Sequence, residues 1–211
     1  MIPLMSCTQL PVELHSDLNP RSLWRERQEN LGQFPNWSLN GRFIVTTGSK
    51  SENASFFWNG SLAKKELKLF GPFGGSRFRL YEDSKGAFLQ YSSGEKLVGI
   101  SGDALLYELS GWLIPFDQLN YWIRGLPAPG KHDGVAIDVS GRALSFVQDG
   151  WKIQYNEYSS IDGVDLPKSL SITVLPDQVS MTKIDVSQDD LINGVKLELT
   201  VESWNLYDES S

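Results

Sequence analysis

Cysteine occurs once in this chain, at Cys7, so neither an intrachain disulfide nor a cysteine-based zinc or iron–sulfur site can form. Histidine is nearly as scarce. His15 and His132 lie far apart with no ligand spacing between them, and no metal centre is expected. No uninterrupted apolar run approaches the roughly 20 residues that a membrane-spanning helix needs, so the body of the protein is expected to be soluble. Positive charge is in deficit: 19 Lys+Arg against 26 Asp+Glu give a net charge of −7. That balance repels phosphate backbones at long range and argues against nucleic acid as a partner.

Catalytic signatures are missing as well. There is no Gly-x-Ser-x-Gly elbow, no His-Glu-x-x-His and no Gly-x-Gly-x-x-Gly in a useful context. Residues 125–132, GLPAPGKH, come near the phosphate-loop pattern, but Pro127 and Pro129 have no N–H to offer a phosphate. His132 also stands where a magnesium-binding hydroxyl belongs, so the segment reads as a connecting loop. Asp83, Asp103, Asp133 and Asp149 occupy turn-like places where a carboxylate is solvated or caps a helix. Nothing points to an enzyme, and no cofactor is expected.

What the chain does have is the material of a folded β protein. Its 211 residues are 40% apolar and 21% charged, and 7 Trp, 7 Tyr and 10 Phe mix with 19 Gly and 10 Pro. That mixture favours short antiparallel strands joined by turns. Residues 20–33 predict a first helix, with Asn19 as cap, Pro20 at the first position and Leu23, Trp24, Arg27 and Leu31 on one side. From Trp37 the period switches to two. Strands are predicted near 36–47, 53–59, 65–70, 77–82, 87–92 and 95–100. Two helices follow, at 103–110 behind an acidic cap and at 115–124 between Pro115 and Gly125. Strands resume near 135–139, 142–148, 151–158, 169–175, 181–187 and 194–206.

A single antiparallel sheet of that size has to curl, and amphipathic helices need an apolar sheet face to cover. The expected class is therefore mainly β (α+β), an open antiparallel half-barrel covered on its concave side by about three helices. Its interior, between sheet and helices, is expected to be apolar. Residues 20–211 read as one domain, and 7–19 as a flexible tether.

Two features carry chemistry. Leu4-Met5-Ser6-Cys7 has the Leu-x-small-Cys form read by the bacterial lipoprotein pathway, which acylates the cysteine. Six residues before it are fewer than the apolar region of a signal peptide requires. Residues 1–6 are expected to be the remnant of a longer signal segment. In FGPFGGS, residues 70–76, Phe70, Pro72 and Phe73 sit among turn formers. Either this loop folds back over the core, or Phe73 projects as a wedge for a membrane or partner, with Arg77 and Arg79 near enough to meet headgroups. The 7 tryptophans include Trp58, Trp122 and Trp151, flat walls suited to acyl chains.

Taken in order, these pieces resemble the LolB family of outer-membrane lipoprotein receptors in Gram-negative bacteria. The resemblance rests on Trp37 with Gly41-Arg42, Phe56-Phe57-Trp58, and Leu67-x-Leu69-x-Gly71-Pro72-Phe73-Gly74. It continues through Leu105-Leu106, Gly111, Pro115 and Leu119-x-Tyr121-Trp122-Ile123-Arg124-Gly125-Leu126-Pro127. It closes on Gln148-x-Gly150-Trp151-x-Ile153-x-Tyr155, Leu166-Pro167 and a last strand ending near Trp204.

The resemblance implies a LolA/LolB-like half-barrel held to the inner leaflet of the outer membrane, on its periplasmic face, by an acylated Cys7. Such a protein takes acylated lipoprotein cargo from the periplasmic carrier LolA and inserts it into the membrane without nucleotide. By position, Phe73 matches the apolar tip of the family's protruding loop. The cavity is expected among Trp58, Leu67, Leu69, Leu80, Leu119, Trp122, Ile123, Trp151 and Ile153. Carrier or headgroup contact falls to Arg42, Lys64, Lys65, Arg77 and Arg79, because a net −7 leaves little room for a broad positive surface. A monomer is expected. The competing expectation is a tethered periplasmic lipoprotein that binds a small apolar ligand or serves as a structural partner.

Overall fold

Alternation of apolar and polar side chains builds the sheet strand by strand. Along β1 (Asn36–Thr47), Trp37, Leu39, Phe43 and Val45 are buried while Asn40, Arg42 and Ile44 are exposed. The period of two continues through β2 (Lys50–Ser61), β3 (Lys64–Phe70), β4 (Ser76–Asp83), β5 (Gly86–Tyr91) and β6 (Lys96–Gly99). The computed structural model describes residues 19–33, 36–61, 64–71, 76–110, 114–175 and 194–207, and for Gln33, Ser76, Arg77 and Ser110 the backbone only. Cys7, Pro72, Phe73 and the strand expected at 181–187 lie outside the described residues.

Beyond α2 (Gly102–Ser110) and α3 (Phe116–Trp122), the sheet resumes with β7 (Asp133–Ile137), β8 (Ala143–Gln148), β9 (Trp151–Ile161), β10 (Val164–Val174) and β11 (Val195–Tyr207). The 11 strands of the described residues form one antiparallel sheet in the order β6-β5-β4-β3-β2-β1-β11-β10-β9-β8-β7. Every pairing thus joins sequence neighbours except β1–β11, which joins the two halves. The edges β6 and β7 do not pair with each other, so the barrel stays open.

Three helices cover the concave side. α1 (Pro20–Gln33) begins where Asn19 Oδ1 accepts the Arg21 N–H at 3.0 Å. It docks at the β7–β10 end, with the Arg27 guanidinium 5.4 Å above the Tyr158 ring and Leu31 buried. α2 packs on β4–β6; a Cβ on Gly99 would already lie 2.8 Å from Leu105 Cγ. α3 crosses from β2 and β3 toward β8. It ends at Trp122, earlier than expected, because the chain turns through Ile123 and Arg124 to Gly125 at φ +83°.

One capping expectation is corrected. Asp103 does not cap its own helix: Ser101 Oγ accepts the Ala104 N–H at 3.3 Å, while Asp103 Oδ1 accepts the Phe116 N–H at 2.6 Å and the Asp117 N–H at 3.4 Å. It caps α3 from the neighbouring helix, a role set by docking and not by local sequence.

Candidate functional site

The inner face of the sheet carries an aromatic ladder that runs up to the helices. Trp204 meets Trp37 at 5.7 Å between ring centroids, Trp37 meets Trp58 at 5.6 Å, and Trp58 stacks on Phe116 of α3 at 5.0 Å. Beside the ladder lies a wholly apolar cavity bounded by Phe43, Phe56, Trp58, Leu67, Leu69, Leu106, Ile114, Phe116, Leu119, Leu197 and Leu199. Its volume is about 30 Å³, room for only a few waters at most. The Trp58 indole N–H is buried there without a hydrogen-bond partner among the described residues.

The cavity has two differently fastened sides. Around the front of α3, Lys65 Nζ reaches Asp117 and lies 3.6 Å from Glu82 Oε2 and 5.7 Å above the Phe116 ring. The Gly102 N–H donates to Glu82 Oε2 at 3.3 Å, which ties α2 to β4. Two carboxylates thus share one lysine. Burial raises the Glu82 carboxyl against the pull of Lys65. Burial, reinforced by the charge of Asp117, pushes Asp103 up to about 6.

The back of α3 is held by uncharged acceptors. Gln148 Oε1 accepts from Trp122 Nε1 at 2.9 Å and from the Ala128 N–H at 2.8 Å, and Gln148 Nε2 donates to Ala128 O at 2.8 Å. The Tyr155 hydroxyl donates to Trp122 O at 2.7 Å. Arg124 donates to Asn120 O at 3.1 Å and to Leu31 O of α1 at 3.5 Å. The near-miss phosphate loop is therefore a strap pinned by Gln148.

Of the side chains expected to line the cavity, Trp58, Leu67, Leu69 and Leu119 border it. Leu80, Trp122, Ile123, Trp151 and Ile153 are buried in the surrounding core. Phe43, Phe56, Leu106, Ile114, Phe116, Leu197 and Leu199 join the wall without having been expected there, although Phe56 and Leu106 belong to the pieces that carry the resemblance. Period-two parity marks the strand residues among them as inward, but only the register Phe43↔Leu199 and Phe43↔Ala54 brings distant strands together. Phe70, half-buried, ends β3 just before the Phe73 loop.

The expected basic contacts divide. Arg42 is exposed and pairs with Glu202 at 2.7 Å; Lys64 is exposed at the start of β3; Arg79 pairs with Glu66 on the outer face. Lys65 points the other way, toward α3. The Arg77 side chain lies outside the described residues.

Residues 35–204 match the family model described as outer membrane lipoprotein LolB. The outer-membrane lipoprotein LolB of Pseudomonas putida (strain GB-1) is 32% identical over 149 residues, 71% of this chain and 73% of its own length. The Pseudomonas aeruginosa (strain PAO1) protein of the same description is 29% identical over the same shares. Among solved structures, an outer membrane lipoprotein-sorting protein domain from Vibrio parahaemolyticus covers 90% of this chain and 92% of its own, with a TM-score of 0.56 at 9% identity. A LolA superfamily protein from Nitrosomonas europaea covers 90% and 94%, with a TM-score of 0.54 at 8% identity. Those two likenesses concern the fold, an open antiparallel sheet covered by helices, whereas the family match and the Pseudomonas identities concern the sequence itself: the chain belongs to the LolB family of outer membrane lipoproteins.

Proposed function

We propose that this chain accepts acylated lipoproteins from the periplasmic carrier LolA into the space between sheet and helices and inserts them into the inner leaflet of the outer membrane, without nucleotide. The observation that carries the reading is the seam between the inner sheet face and α2–α3, where every bordering side chain is apolar. Membership of an outer-membrane lipoprotein family supports lipoprotein handling at that membrane. An acyl chain of about 16 carbons costs on the order of 12 kcal/mol to expose to water. Cargo therefore passes from cavity to cavity, and direction comes from rising affinity: carrier, then this protein, then bilayer.

A cavity of about 30 Å³ does not hold such a chain, so acceptance requires the lid to rise. The front of α3 and α2, fastened by the Lys65 carboxylate cluster, is the part that lifts. The Gln148 strap at the back is the hinge, with Gly125 at φ +83° in the turn. Acylated Cys7 tethers the protein to the periplasmic face of the outer membrane, and Phe73, between β3 and β4, wedges into the membrane surface as cargo leaves.

The test is transfer from loaded carrier to liposomes. Phe73→Glu is expected to keep the fold and cargo acceptance and to stall insertion; normal delivery by that variant removes the wedge. The hydrophobic probe bis-ANS is expected to bind the folded protein and to be displaced by fatty acid, and a protein that binds neither has no seam that opens. The small volume of the cavity favours one other reading, a tethered lipoprotein that binds a small apolar ligand or acts as a structural partner. Such a protein does not take cargo from a loaded carrier.

A further inference from the structure

The outer face of β2–β6, turned away from the helices, takes no part in the cavity, and its register lays side chains out in two rows. One row reads Phe57, Lys68, Arg79, Gln90, Lys96 and the other Asn59, Glu66, Tyr81, Phe88, Val98, each residue opposite the next on the neighbouring strand. Tyr81 stacks on Phe88 at 5.0 Å, and the lysines lie over rings: Lys68 5.3 Å from the Phe57 centroid and Lys96 5.3 Å from that of Phe88. Val98 is 84% exposed and Ile100 87%, large apolar side chains left in water at the sheet edge.

The charge of this face opposes that of the chain. Among the described side chains, Lys64, Lys68, Arg79, Lys85 and Lys96 stand here against Glu66 and Asp83, with Glu95 at the rim, while the whole protein carries −7. Glu66 is shared by Lys68 at 3.3 Å and Arg79. Among the described residues, Lys64, Lys85 and Lys96 form no ion pair. On the other half of the sheet Arg42, Lys168 and Lys196 each pair with a glutamate, Glu202, Glu157 and Glu198, while Lys152 forms no ion pair among the described residues. An open hollow of about 380 Å³ lies at the β4–β6 corner between Tyr81, Phe88, Val98, Lys85 and Lys96.

We propose that this outer face of β2–β6 is a docking surface for an anionic phospholipid bilayer, with the lysines and Arg79 on the headgroup phosphates and Tyr81, Phe88, Val98 and Ile100 at the headgroup boundary. Half-buried rings and exposed aliphatic side chains set among cations on the outer sheet face fit that boundary, because the long stems of Lys and Arg lie along apolar surface while their charges reach phosphate. The inference rests on the reading of the chain as a lipoprotein-handling protein held at a membrane. It adds a second contact, which sets the orientation of the half-barrel on the surface.

The experiment is co-sedimentation of the full chain carrying Cys7→Ala, without cargo, with vesicles of phosphatidylcholine alone or with phosphatidylglycerol. Binding is expected to require phosphatidylglycerol and to fall with salt. Each cation removed from the surface is expected to weaken it about fivefold, so that Lys85→Glu with Lys96→Glu costs tenfold or more. A Val98→Ser, Ile100→Ser variant is expected to bind more weakly to the same vesicles. Equal binding to both compositions, or no change on charge reversal, overturns the proposal. So does loss of carrier-to-protein cargo transfer in the lysine variants with vesicle binding intact, which makes the face a carrier contact. Binding lost in Phe73→Glu but kept in the lysine variants places all membrane contact in the loop. Vesicle binding is read without cargo, so its failure is separate from a failure of lipoprotein transfer.

Discussion

Gly60 shows how one missing side chain lets the aromatic ladder form. It lies opposite Trp37 in the β1–β2 pair, and a Cβ there would come within 2.3 Å of the Trp37 ring, which is 1% exposed. The indole is therefore laid over bare backbone, and from there it meets Trp58 and Trp204. Gly60→Ala is expected to destabilise the protein by about 1–3 kcal/mol through overpacking, read as a lower urea midpoint with an unchanged slope. An unchanged midpoint would mean that Trp37 moves aside freely. Trp58 is a different case, since its buried N–H lacks a partner among the described residues; on the proposed reading, raising the helices would let water reach it.

α2 and α3 depend on each other because Asp103 of one helix caps the other. Its carboxyl is pushed up to about 6 from 3.8, mainly by burial and then by the charge of Asp117. The docked lid therefore prefers the protonated acid. The contribution is complete below the ordinary carboxylate range and is lost as pH rises through about 6, a change on the order of 3 kcal/mol. Glu82 is shifted in the same direction. Probe access to the seam is thus expected to be greater at about pH 7.5 than at about pH 5. Asp103→Asn keeps an acceptor for the Phe116 N–H and removes the charge. It is expected to lower bis-ANS binding at neutral pH and to flatten the profile, with a residual slope from Glu82. An Asn variant with the parent's pH profile would exclude Asp103 as the titrating group.

For the molecule as a whole, an 11-stranded sheet with two unjoined edges leaves its interior to be sealed by helices. On the proposed reading, opening is a movement of the helices against the sheet that leaves strand pairing intact. Gly99 on β6 and Leu105 on α2 lie close enough for a disulfide, since a Cβ at Gly99 would sit 2.8 Å from Leu105 Cγ. In a Cys7→Ala background, Gly99→Cys with Leu105→Cys is expected to cross-link on oxidation. The oxidised protein should lose most bis-ANS binding and cargo acceptance, and both should return on reduction. Acceptance by the oxidised protein would mean that cargo reaches the interior by another route.

The amino-acid sequence by itself determined most of the described strands to within a few residues, the presence of the three described helices and the alternation of apolar and polar side chains along the strands. Those are local properties, written in a period of two, in Asn19-Pro20 and in Gly125. It also carried the family, through residues such as Trp37, Trp58 and Trp122 in a fixed order. Only the tertiary structure decided that Asp103 caps α3, that Lys65 turns inward while Lys64 stays out, and that Gln148 pins the strap after α3. Each joins groups brought together by sheet register and helix docking, and no local pattern encodes the sum of such distant contacts. The volume of the cavity is of the same kind, because it is the small gap left after α2 and α3 settle onto a curved sheet.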